Sequence, residues 1–232
     1  ETREKVWSFH TGGAIWSTPG VSDGFAYFGT FGKNIFAVSV KDGQERWRFN
    51  TGGAVVASPL IDGGRVYVGD FDSVFYALDA ATGDVVWRFD GADRWYWAKA
   101  VAHEGVIFAP SLDGNLYALD ANSGELRWKF ETEGTIVGSP VVVGNRLAVP
   151  VAAGDDSRIS IVEMNGVSRE ICRIGEEVRT PLVSEGDLIY FGVTDHSIRA
   201  LRIKARSGNP DEEWVYYTDR DDPRPVERAE AC

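Results

Sequence analysis

Three histidines, two cysteines and one cluster of aromatic and basic residues are the side chains with which this 232-residue chain could do chemistry. Imidazoles hold zinc only when they converge, with ligand spacings that leave a signature. His10, His103 and His196 show no such spacing, and no GxSxG, HExxH or glycine-rich phosphate loop occurs. Cys172 and Cys232 lie 60 residues apart with no CxxC, so neither a metal site nor a disulfide framework is expected; both are read as reduced or incidental thiols, the alternative being a bond between them that needs the tail to fold back. The cluster is different. Arg94, Trp95, Tyr96, Trp97 and Lys99 are crowded into one short segment. Exposed Trp, Tyr and Arg dominate binding hot spots, so this segment is a candidate site for a ligand or protein partner. Trp16 and Arg179 are candidates for the same mouth. The competing reading has these aromatics filling an axial channel or packing between sheets.

Composition narrows the partners. Lys and Arg number 24 against 35 Asp and Glu, a net charge of −11. Affinity for phosphate backbones comes from clustered cations, so no nucleic-acid partner is expected. No run of apolar residues is long enough to span a bilayer. No apolar signal core follows Glu1-Thr2-Arg3-Glu4-Lys5, and a first residue other than Met reads as a mature or trimmed form.

An internal period organises the rest. Trp7, Trp47, Trp87 and Trp128 are separated by 40, 40 and 41 residues. A second column, Pro19, Pro59, Lys99, Pro140 and Pro181, keeps steps of 40, 40, 41 and 41, with Lys99 standing in for Pro. Between the columns each copy repeats a turn (Asp23-Gly24, Asp62-Gly63, Glu104-Gly105, Gly144-Asn145, Glu185-Gly186) and an apolar run such as Val66-Tyr67-Val68-Gly69. A polar turn then leads to Phe36-Ala37-Val38, Tyr76-Ala77-Leu78, Tyr117-Ala118-Leu119 and, more loosely, Arg199-Ala200-Leu201. Gly at a turn supplies positive φ, and Asp, Asn and Ser add local hydrogen bonds. Each copy therefore predicts four short strands. The two middle strands are nearly continuous apolar runs, which implies burial on both faces. Blades stacked radially around an axis give that burial, so the expected fold is an all-β propeller of about five four-stranded antiparallel blades, or a five-repeat portion of a larger ring.

The expected repeats lie near 19–47, 59–87, 99–128, 140–170 and 181–214, within a propeller domain over 1–217. A lone outer strand is expected at 5–9, and a polar tail at 218–232. Trp7, Trp47, Trp87, Trp128 and Trp214 are read as blade-closing core residues, each with an indole N–H available to a backbone carbonyl. In the fourth copy Arg169 or Glu170 stands where Trp is expected. Both the strand at 5–9 and that bearing Trp214 read as fourth strands, so one is surplus.

Ser58-Pro59, Val66-Tyr67-Val68-Gly69, Tyr76-Ala77-Leu78-Asp79, Thr82-Gly83 and Trp87 together resemble the pyrroloquinoline-quinone (PQQ)-like propeller repeat, and 106–128 resembles it nearly as well. The resemblance runs from about Val6 to Trp214 and is weakest in the fourth copy. The family includes quinoprotein alcohol dehydrogenases, the non-enzymatic lipoprotein of the outer-membrane β-barrel assembly machinery, and sensor-like propellers. Members usually have seven or eight blades. The resemblance implies an extracytoplasmic home, periplasmic or at the cell surface. Its enzymes hold quinone over a Trp floor with a vicinal-cysteine disulfide and Ca²⁺, and neither vicinal cysteines nor those ligands can be placed here.

The linkers from each fourth strand to the next first strand run inward over one face, and the third carries the Arg94–Lys99 anomaly. Turns between second and third strands add Phe31, Lys33, Phe71, Asp72, Asp113, Asp195 and His196, read as ordinary solvated turns. By this register His103 falls on the opposite face from His10 and His196. The expectation is a non-catalytic protein-interaction or scaffold propeller with no cofactor, no metal and no catalytic residue. Its partner is another protein, with self-association possible if the ring does not close within one chain. The alternative is a small-ligand or quinone-binding propeller, as a sensor domain or dehydrogenase fragment.

Overall fold

The computed structural model describes residues 4–203 and 211–217, the latter and residues 169–170 by backbone only. Each repeat folds as one antiparallel meander of four strands. The first blade is β1 (Gly20–Ser22), β2 (Phe25–Gly29), β3 (Asn34–Ser39) and β4 (Glu45–Asn50). The second is β5 (Leu60–Asp62), β6 (Arg65–Gly69), β7 (Phe75–Asp79) and β8 (Val85–Phe89). The third is β9 (Val101–His103), β10 (Val106–Pro110), β11 (Asn115–Asp120) and β12 (Leu126–Glu131). The fourth is β13 (Val141–Val143), β14 (Arg146–Val151), β15 (Arg158–Glu163) and β16 (Ser168–Arg173). The fifth is β17 (Val183–Glu185), β18 (Leu188–Gly192), β19 (Ser197–Arg202) and β20 (Asp211–Tyr217). Among the described residues there is no helix.

The middle strands are buried on both faces, as their unbroken apolar runs predict, because each blade is covered by its neighbours. Residues of one face of a blade join those of the opposite face of the next in four apolar cores. Tyr27, Ile35 and Ala37, for example, meet Val66, Val68, Tyr76 and Leu78. A bulge recurs in every third-to-fourth strand pair, directly after Ala37, Ala77, Ala118, Ile161 and Ala200. Bulges increase local twist, and these swing the outer strand so that its Trp reaches the next blade.

That reach is a repeated clasp. The indole N–H of Trp47 donates to Ala80 O at 3.0 Å, Trp87 to Ala121 O at 3.0 Å and Trp128 to Met164 O at 2.9 Å. Each ring lies over a glycine of the following blade: Gly83, Gly124 and Gly166. These glycines have φ of 79°, 75° and 86°, and a Cβ at any of them would stand within 3 Å of the indole. The position therefore needs Gly twice over, for backbone and for space. In the fourth blade register puts Glu170 opposite Ile161, where the others have Trp opposite Ala, so the outer-strand column is resolved in favour of Glu170.

Three expectations are corrected. The segment 5–9 is not a strand and joins no sheet, yet Trp7 and Phe9 pack on Phe28, Phe36 and Val38 of the first blade. Trp7 makes the clasp of a preceding blade, donating to Val40 O at 2.9 Å over Gly43. The fourth strand of the fifth blade is β20, with Trp214 paired to Ala200 in the column of Trp47, so the surplus element is the N-terminal one. Second, Lys99 does not replace Pro. Its N–H donates to Ser139 Oγ as Thr18 N–H does to Ser58 Oγ, which puts Lys99 in the Ser/Thr column and Ala100 in the Pro column. By the same strand register Leu182, one past Pro181, holds the fifth Pro position. Third, Cys172 is fully buried in the core between the last two blades and is disulfide-bonded, not a reduced thiol. Cys232 and the 218–232 tail lie outside the described residues.

Inner strands touch in series, β1 with β5, β5 with β9, β9 with β13 and β13 with β17. No contact of comparable extent joins β17 to β1. The blades form an arc.

Candidate functional site

Each linker arrives beside the turn joining the second and third strands of the blade it has just left and of the next. Backbone bonds fix this contact: Phe31 N–H donates to Ala14 O, Phe71 N–H to Ala54 O and Leu112 N–H to Trp95 O, all at 2.9 to 3.0 Å. Ala14, Ala54 and Trp95 are thus equivalent, and Trp16, Val56 and Trp97 form a second column in which both Trp are exposed and Val56 is buried. The linker is extended, so side chains alternate in direction. Trp95 and Trp97 are exposed and Tyr96 between them is fully buried.

The outward side chains converge on the two turns. Phe71 lies near-parallel to Trp95, with ring centroids 4.7 Å apart and 14° between planes, and near-parallel to Trp97 at 5.9 Å and 21°. Trp16 meets Trp97 at 6.4 Å and Phe31 at 6.0 Å, and Phe31 meets Phe71 edge-on at 6.4 Å. Five rings, two on turns of the first and second blades and three on linkers, form one surface. Trp16 is 69% exposed and Trp95 49%, so the cluster presents its aromatic area to solvent instead of filling the interior. Contiguous exposed apolar area of this kind marks interaction sites on otherwise polar proteins.

Of the residues singled out in the sequence, the structure brings Trp16, Trp95 and Trp97 together. Arg94 and Lys99 are exposed on the same linker. Tyr96 is a correction: it packs against Phe75 and over Gly69, filling the blade interface like Val55 and Ile136 in neighbouring linkers. Its phenol has no hydrogen-bond partner among the described residues. Arg179 stands in the Trp16 column but on the fifth linker, paired with Glu177 at 2.5 Å, and makes no contact with the rings. Phe31 and Phe71, read from sequence as ordinary turn residues, are members of the site. Their signal was placement on turns facing the same linkers, which periodicity locates but cannot rank.

Two carboxylates hold this face in shape. Asp70 is fully buried and accepts from the N–H groups of Asp72, Val74 and Gly53 and from the Tyr76 hydroxyl. Asp113 accepts from Asp93 N–H and Asn115 N–H and, at 2.7 Å, from the Tyr117 hydroxyl. Burial, reinforced by the Asp70 charge, pushes the Tyr76 phenol up to about 12. Burial followed by the Asp113 hydrogen bond pushes Tyr117 up as well, and burial raises Tyr27, Tyr67 and Tyr96. A folded-state pKa above the unfolded value of 10.0 stabilises the fold fully below pH 10 and loses that contribution as pH rises through the folded pKa. Stability is therefore expected to fall as pH rises above 10, with these five phenols ionising together on unfolding. Absorbance at the phenolate band, followed beside circular dichroism, checks this. Independent ionisation of all the tyrosines near their ordinary value with the fold intact would contradict it.

Among the described residues no group of three or more His, Cys, Asp or Glu side chains is placed to hold a metal ion. Cys172, bonded and buried between blades, offers no vicinal-cysteine pair. The described residues thus show neither the vicinal-cysteine disulfide nor a metal-ligating cluster of the kind expected of the quinoprotein enzymes.

The family model described as outer membrane protein assembly factor BamB matches residues 1–94 and again 77–169. No curated protein matches the chain. Among solved structures, BamB from Moraxella catarrhalis is similar over 91% of this chain and 67% of its own, with 21% identity and a TM-score of 0.75. The computationally designed Ika8 protein is similar over 87% of this chain and 67% of its own, with 14% identity and a TM-score of 0.73. Quinohemoprotein alcohol dehydrogenase from Comamonas testosteroni is similar over 90% of this chain, with 17% identity and a TM-score of 0.69, but the chain spans only 45% of that enzyme. These likenesses carry the fold, and the family match over the first three repeats and most of the fourth carries the lineage. The chain belongs to the PQQ-like β-propeller repeat family, of the type described as outer membrane protein assembly factor BamB.

Proposed function

We propose that this chain is a non-catalytic, extracytoplasmic protein-interaction propeller whose partner docks on the Trp16, Phe31, Phe71, Trp95 and Trp97 surface. The observation that carries the reading is that five rings from two blade turns and two linkers are gathered at the surface of an acidic protein, with Arg94 and Lys99 exposed on the linker that bears two of them. Burying such rings against a partner supplies large apolar area at low entropic cost, and the flanking cations add orientation. Relatives described as assembly factors support a protein as the partner.

Trp16→Ser, Trp95→Ser and Trp97→Ser combined should abolish capture of partners from native extracts while leaving the unfolding transition nearly unchanged, since all three side chains are solvent-facing. Comparative affinity capture with the wild-type chain reads this directly. Recovery of the same proteins by the folded triple variant would remove the surface from consideration. The likeness to a quinohemoprotein dehydrogenase keeps a second reading in view, binding of a quinone. A thermal shift on adding PQQ with Ca²⁺ would favour that reading over the first.

A further inference from the structure

Four of the surface rings close into a cycle. Centroids lie 6.0 Å apart for Trp16 and Phe31, 6.4 Å for Phe31 and Phe71, 5.9 Å for Phe71 and Trp97, and 6.4 Å for Trp97 and Trp16. The opposite pairs, Trp16 with Phe71 and Phe31 with Trp97, make no ring contact, so the cycle is open across its middle. Phe71 and Trp97, 21° apart, form one wall, and Phe31 and Trp16 are turned out of it by 78° and 59°. Trp95 meets only Phe71 of the four. The centre of a quadrangle with such sides is about 4–5 Å from each centroid, inside the reach of about 6 Å for a cation–π contact. The net charge of −11 draws cations toward the protein. The ring carbons offer no hydrogen-bond acceptor, which favours a cation without N–H groups over a guanidinium or a primary ammonium.

Lys99 adds the opposite requirement. From Trp95 to Ala100 exposed and buried residues alternate strictly, so Trp95, Trp97 and Lys99 share one side of the linker. Lys99 has no ion-pair partner among the described residues. A simple cation in the rings would meet Lys99 as a like charge, and a simple anion would leave the rings unused. A zwitterion satisfies both. We infer that this site takes a small soluble zwitterion bearing a quaternary ammonium, of the choline phosphate class. Its trimethylammonium group lies among Trp16, Phe31, Phe71 and Trp97, and its anion pairs with Lys99. A soluble ligand is favoured over a lipid headgroup because exposed Lys33, Asp72, Asp93 and Arg94 occupy the same turns and linker, leaving no apolar border to enter a bilayer. The site shares its rings with the proposed docking surface but needs no protein partner, so ligand binding and partner capture succeed or fail separately.

Titration of the chain with phosphocholine, followed by tryptophan emission, tests this. Phosphocholine should give a saturable change, and tetramethylammonium the same change with weaker binding. Neohexanol, in which carbon replaces the ammonium nitrogen of choline, and inorganic phosphate should give none. W16A should weaken binding of both ammonium probes about fivefold, the value of one cation–π contact at an exposed ring. K99Q should weaken phosphocholine and leave tetramethylammonium unchanged. Both side chains are exposed, so each variant is expected to fold with a wild-type circular dichroism spectrum. Phosphatidylcholine vesicles should leave the chain in the supernatant on sedimentation. No saturable response to phosphocholine overturns the inference, as does neohexanol binding equal to that of tetramethylammonium, or a folded W16A with wild-type affinity. Unchanged phosphocholine affinity in K99Q overturns the placing of the anion, and sedimentation with the vesicles overturns the soluble ligand.

Discussion

Trp87→Ala is expected to lower the free energy of unfolding by about 3–5 kcal/mol, the range for emptying a large aromatic site in a packed core. The indole is 7% exposed and lies between the second and third blades. Its ring centroid is 5.8 Å from that of Tyr67 and 6.3 Å from that of Phe75, and its N–H donates to Ala121 O. The site cannot collapse to fill the space, because Gly124 opposite has no side chain to offer. Trp87→Phe should cost about 1–2 kcal/mol, since most of the area is kept and only one hydrogen bond is lost. Ala121 O keeps its Tyr67 and Arg65 donors, so no carbonyl is orphaned. Trp7→Ala tests the same clasp without a blade behind it, and there the loss should be about 1 kcal/mol, near that of a single hydrogen bond. Urea unfolding of the three variants gives the comparison. Equal losses for Trp87→Ala and Trp7→Ala would show that the clasp does not gain its strength from the enclosing blade.

Asp70→Ala is expected to cost about 3 kcal/mol, because it strips the acceptor from several donors at once while leaving the donors in place. Three backbone N–H groups and the Tyr76 hydroxyl converge on this carboxylate. Asp70→Asn keeps one carbonyl acceptor and should lose about half as much. The loss reaches the candidate site. Gly53 N–H and Asp72 N–H flank the turn bearing Phe71, and Phe71 is the ring against which both Trp95 and Trp97 lie. Tryptophan emission should therefore shift to the red in folded Asp70→Ala, as those indoles lose their neighbour. An unfolding midpoint equal to wild type, with unchanged emission, would mean that the turn is held by other contacts.

The repeat was legible because its causes are local. Each turn glycine, each apolar run and each closing Trp acts within its own hairpin or on the blade next to it, so a period of about 40 residues registers every copy's structure at once. The site was legible only in part. Trp95 and Trp97 stood out by type, yet Tyr96 between them is buried. An extended segment points successive residues to opposite sides, and which side faces the blades depends on the alignment of the linker with the following strand. The Lys99 column misled that alignment by one residue. Phe31 and Phe71 gave no signal beyond their position, because they meet the other rings only where blade turns and linkers come together.

The sequence by itself determined the blade, its four strands, its clasp and the propeller class, all set by turn chemistry and short-range burial. Only the tertiary structure decided which cluster residues face solvent and how the five blades pack on one another. How two blades pack depends on the fit of side chains across the whole interface, and no single position in the period encodes it. The Arg94 to Lys99 segment therefore has two fates, Trp95 and Trp97 as surface and Tyr96 as core, and packing assigned them.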